Sequence, residues 1–97
     1  MAEEVKKVVW TRKARKALNE ILDYRYKNIP TARKIVRKDI IDSTKNIVFT
    51  KQYQQDEVFP QYRKITVRDY RVIYRDENKV IYIMNLVCTK AGNSEST

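Results

Sequence analysis

Apolar positions along the chain change their spacing twice, and those changes divide it into a short extended run, two helices and a meander of strands. Val5, Val8, Val9 and Trp10 make a β-prone opening. Thr11, directly behind them, is a residue type that caps a helix with its hydroxyl. Ala14, Ala17, Leu18, Ile21 and Leu22 then recur at helical intervals, with Arg12, Lys13, Arg15, Lys16, Asn19 and Glu20 between them. That spacing predicts an amphipathic helix ending near Tyr26. Asn28, Ile29 and Pro30 break it, and Thr31 is expected to cap a second helix with Ala32, Ile35, Val36, Ile40 and Ile47 on its apolar side. Two helices joined by a short turn make an α-hairpin.

From Phe49 to Gln61 the periodicity disappears, which predicts a loop, with Phe59-Pro60 as a candidate anchor against the core. Beyond it the period is two. Ile65 and Val67 face one side and Tyr62, Lys64, Thr66 and Arg68 the other; Tyr70, Val72 and Tyr74 then alternate with Arg71, Ile73 and Arg75. Asp69 and the run Asp76, Glu77, Asn78, Lys79 read as tight turns. The run from Val80 to Val87 is more uniformly apolar, as expected of a central strand. Thr89 to Thr97 is short and polar and reads as a flexible tail. The prediction is one α+β domain over 1–97, in the order β-α-α-β-β-β: an N-terminal strand, a helical hairpin and a three-stranded antiparallel meander. Both helices go to one face of the sheet. Lys64, Arg68, Arg71 and Arg75 are expected to project from the face left over.

Composition narrows the chemistry. With 97 residues there is room for one modest core, and 42% hydrophobic residues are enough to form it. The chain has no His, its one Cys is Cys88, and its one Gly is Gly92. A Ser-His-Asp triad, a Cys-His pair, an ordinary zinc site and a glycine-rich phosphate loop therefore all lack their residues, and neither cofactor nor metal is expected. Cys88, near the end of a buried strand, reads as a small reduced core hydrophobe. The opening residues are charged and no apolar run approaches a membrane span, so the expectation is a cytoplasmic protein without a membrane. Lys and Arg number 21 against 12 Asp and Glu, a net charge of +9 that draws in polyanions or an acidic protein.

Several of these segments together resemble a known family. Val9-Trp10-Thr11 running into the first helix, the second helix after Pro30, Tyr62-Arg63-Lys64-Ile65, and Asp69-Tyr70-Arg71-Val72-Ile73-Tyr74 are similar to the RelE/ParE toxins over residues 8 to 90. The loop with Gln54, Asp56 and Glu57 is also like members of this superfamily. The resemblance implies the toxin of a type II toxin–antitoxin system, neutralised by a co-encoded antitoxin. It implies one of two targets. The first reading is a RelE-like toxin that cuts messenger RNA on the ribosome without metal, as an endoribonuclease; the alternative is a ParE-like toxin that binds DNA gyrase and cuts nothing. A basic RNA-binding module that keeps the fold is a third reading.

Carried over residue by residue, Arg71 falls on the phosphate-binding arginine of the RelE-like branch and Lys64 on one of its two sheet lysines. Lys90 takes the place of an arginine after the last strand. Tyr62 stands where the other lysine would be, and the C-terminal tyrosine has no counterpart between Gly92 and Thr97. The candidate catalytic residues are thus Arg71, Lys64 and Lys90, and the candidate RNA-binding residues Tyr62, Arg68 and Arg75. Each has a plainer reading: a solvated strand cation, a packed tyrosine, or a basic residue near a fraying end. Asp56-Glu57 reads as loop solvation. The runs Arg12, Lys13, Arg15, Lys16 and Arg33, Lys34, Arg37, Lys38 are either the wet faces of their helices or tracks for an anionic partner, since like charges so spaced repel.

Overall fold

The computed structural model describes residues 4–89. Its elements are β1 (Lys7–Trp10), α1 (Arg12–Arg25), α2 (Pro30–Lys45), β2 (Arg63–Val67), β3 (Tyr70–Glu77) and β4 (Val80–Cys88). The order is the expected one. The sheet runs β1-β4-β3-β2, with β2, β3 and β4 antiparallel and β1 parallel to β4, which makes the apolar β4 an inner strand, as its composition predicts.

Thr11 joins β1 to α1 through one hydroxyl. It accepts from the Ala14 amide at 3.2 Å and donates to the Ile83 carbonyl at 2.6 Å, so the cap of α1 is also a bond to β4. α1 then buries Ala14, Leu18 and Leu22, and α2 buries Val36, Ile40 and Thr44. Against them lie Ile65, Tyr70, Val72, Tyr74, Ile81, Ile83 and Leu86, all on one sheet face. A fully buried Leu or Ile here contributes about 1.5–3 kcal/mol relative to exposure. Trp10 ties the edge strand to α2, its indole donating to Thr44 at 3.1 Å.

Three expectations about this framework change. Pro30 takes the first position of α2 and Ile29 precedes it without a side-chain cap, so Thr31 lies inside the first turn and caps nothing; proline needs no acceptor for an N–H it lacks. Ile35 is half exposed, while Ile47 reaches the core from just beyond the helix end. Phe59 is 55% exposed and Pro60 is exposed too, so neither anchors the loop to the core. Tyr53 does so in their place, meeting Tyr74 edge to face at 6.5 Å. Lys90 and the rest of the expected tail from 90 on lie outside the described residues.

Candidate functional site

With the helices on one face, strand alternation sends Lys64, Thr66, Arg71, Ile73 and Arg75 to the other. The register pairs Lys64 with Ile73 and Ile73 with Asn85, and it pairs Thr66 with Arg71 and Arg71 with Val87. Lys64 and Arg71 are therefore diagonal neighbours across β2 and β3, within reach of a shared ligand.

The loop before β2 closes part of this face. It runs along the outer edge of β2, where the Lys64 amide donates to Gln54 at 3.0 Å and Gln55 bridges Arg63, and so blunts an edge that is otherwise open to another strand. It then turns over the sheet at Asp56. One carboxylate oxygen of Asp56 accepts from the amides of Val58 and Phe59 at 3.0 and 2.8 Å. The other lies 4.0 Å from the Lys64 ammonium, and both side chains are 19% exposed. The Phe59 amide, first, then the Val58 amide and the charges of Lys64 and Arg71 hold this carboxyl below the usual carboxylate range against the cost of desolvation. Asp56 is thus an ionised counter-charge inside the basic face, where the sequence suggested loop solvation.

A cleft of about 280 Å³ opens beside this pair, lined by Lys13, Asp56, Phe59, Tyr62, Ile73, Met84 and Asn85. A bulge in β4 shapes it. Ile73 pairs with Asn85 and Tyr74 with Ile83, so Met84 is the extra residue, and both Met84 and Asn85 line the cleft. Period-two reading assigns two consecutive residues to opposite faces, which is why neither was a candidate. Lys13 arrives from the first turn of α1, a position visible in the sequence only as part of a basic run. Phe59 meets Tyr62 edge-on at 6.4 Å and forms one rim.

The candidates from the sequence are thus dispersed. Lys64, Arg71 and Tyr62 come together on the open face. Arg71 carries a buried Nε for which the described residues offer no hydrogen-bond acceptor. Arg75 shares that face but is engaged: it donates to Glu77 at 2.7 Å and lies 4.9 Å over the Tyr82 ring. Arg68 does not project from it. It occupies the β2–β3 turn in the left-handed region, with φ 54°, and holds Asp39 of α2 at 2.6 Å, so it braces the turn against a helix. The two helical basic runs also part company. Arg33 pairs with Asp23 and Lys38 with Asp42, while among the described residues no ion pair involves Arg12, Lys13, Arg15 or Lys16. Cys88 is half-buried against the core and accepts from Arg25 at 3.1 Å. Among the described residues no group of three or more His, Cys, Asp or Glu is gathered to hold a metal ion, and no helix is long and apolar enough to cross a membrane.

A family model described as the ParE toxin of type II toxin-antitoxin system, parDE, matches residues 8–90. Among solved structures, the chromosomal ParDE TA system from P. aeruginosa superposes with a TM-score of 0.71 at 23% identity, covering 84% of this chain and 94% of that one. A mutant of E. coli toxin RelE in the free state gives a TM-score of 0.47 at 19% identity, covering 99% of this chain and 93% of that one. No curated protein matches.

Proposed function

From the premise that the chain belongs to the ParE toxin family of type II toxin–antitoxin systems within the RelE/ParE superfamily, we propose that it arrests growth by binding a protein target, DNA gyrase, and not by cutting RNA. A cognate antitoxin is its partner as a type II toxin; that antitoxin is expected to bring an acidic segment that orders on this basic surface.

The observation that carries the choice of target is Asp56. Metal-free cleavage of RNA on this face would ask Lys64 and Arg71 to receive a phosphate and stabilise its growing charge. Here the Lys64 ammonium already faces a carboxylate that is fixed by two backbone amides and held ionised. A phosphate arriving there meets a like charge in a partly desolvated site, and Coulomb repulsion strengthens as solvent is excluded. The internal carboxylate suits a face that meets another protein better than one that cradles a nucleic-acid backbone. The unpaired Nε of Arg71 favours the ribosomal reading.

The test is induction of the chain in cells without its antitoxin, following plasmid superhelicity and the 5′ ends of messenger RNA in one time course. Loss of negative supercoiling before any change in messenger integrity is expected. Early messenger cleavage that requires ribosomes, with normal superhelicity, would overturn the proposal.

A further inference from the structure

Two features outside the Lys64–Asp56 pair are unexplained by the fold. The first is apolar. Val58 and Phe59, neighbours in the loop, are 74% and 55% exposed, and the cleft that Phe59 lines also has Ile73 and Met84 in its lining. An exposed apolar rim around a small apolar floor marks an interaction site more often than an accident of folding. The second is electrostatic. The first turn of α1 carries no acidic residue, yet Arg12, Lys13 and Arg15 sit in it and Lys16 directly after, at the end where the helix dipole disfavours cations. Like charges at these spacings also repel one another. Of the four, Lys13 lines the cleft.

We infer that this cleft is a docking pocket for one large apolar side chain of an acidic peptide segment, presented by a protein partner, with the carboxylates of that segment meeting the basic first turn of α1. Apolar and electrostatic complementarity to such a segment coincide at this one place. The cleft, at about 280 Å³, falls just below the ~300–1,000 Å³ of small-molecule sites and suits a single anchoring side chain. Such an anchor in a pocket, ringed by charge, is how protein interfaces concentrate their affinity. A nucleic acid fits less well, because the floor, with Ile73 and Met84, is aliphatic and thioether and suits an apolar side chain. The inference deepens the reading of the chain as a binder of a protein target.

Met1 and Met84 are the chain's two methionines, so a methyl-labelled full chain reports on the cleft through Met84. The probes are a blocked pentapeptide with a central Phe flanked by pairs of Glu, the same peptide with a central Ala, and a uridine pentanucleotide. Saturable movement of the Met84 methyl by the Phe peptide is expected, weaker by about tenfold or more for the Ala peptide. Lys13→Glu and Phe59→Ala, both at exposed positions, should each lose about the same factor while leaving the rest of the spectrum intact. No movement of Met84 at millimolar Phe peptide, equal binding of both peptides, or movement with the oligonucleotide alone would overturn the inference. Peptide binding at Met84 by a chain that leaves gyrase unaffected would support this pocket and contradict the gyrase reading, so the two fail separately.

Discussion

Lys64 on β2 directs its ammonium at the Asp56 carboxylate 4.0 Å away, so a cation expected to wait for a ligand is already facing an anion of its own chain. Asp56→Asn keeps an oxygen to accept from Val58 and Phe59 and removes only the charge. The variant should bind a ribo-oligonucleotide several-fold more tightly at low salt, an advantage that added salt erodes. Fluorescence anisotropy measures it; unchanged affinity would mean that Asp56 does not screen Lys64 and Arg71.

The same residue makes an acid prediction. Its folded pKa lies below the ordinary carboxylate value, so its contribution to stability is present above that ordinary value and is lost as pH falls through the depressed one. Urea unfolding of the wild type and Asp56→Asn from pH 6 to pH 2 should show a gap that closes at the acid end. A gap that is constant across the range would contradict the assignment.

At the alkaline end Tyr74 contributes alongside Tyr70, whose pKa burial also raises. Burial, foremost, pushes the Tyr74 pKa up to about 12, against the attraction of Arg63. A raised folded pKa means stability that is fully present below the ordinary tyrosine value of about 10 and lost as pH climbs through about 12. Tyr74→Phe should change stability at neutral pH by no more than about 1 kcal/mol, and should make the loss between pH 10 and 12 shallower, with Tyr70 supplying the remainder. Denaturant titrations at both ends check it.

Thr11 offers a purely structural test. Thr11→Ala removes both the cap of α1 and the bond to the Ile83 carbonyl, and should cost about 1–2 kcal/mol. Thr11→Ser should recover most of that in chemical unfolding.

Thr11 also shows what was legible in the sequence. A hydroxyl immediately before a helical period has one obvious use, and the switch from a three-to-four period to a period of two located α1, α2 and the meander. Pro30 and Thr31 competed for one helix start, and the sequence cue for a cap could not see that proline had already taken the first position. Lys64, Arg71 and Arg75 were legible as one face because alternation alone places them. What alternation cannot see is a departure from itself: the extra residue Met84 in β4 sends two neighbours to one cleft, and the left-handed backbone at Arg68 turns that side chain toward Asp39. Asp56 was opaque for a different reason, since its role depends on a loop folding back over a strand that follows it in the chain.

The central claim is that this toxin disables a protein target without cutting RNA, and purified components test it most directly. Wild-type chain is titrated into a gyrase supercoiling reaction and, from the same preparation, into ribosomes programmed with messenger RNA. Inhibited supercoiling with intact messenger RNA is the predicted result; messenger RNA cleaved on the ribosome, abolished by Arg71→Ala and accompanied by normal supercoiling, would contradict it.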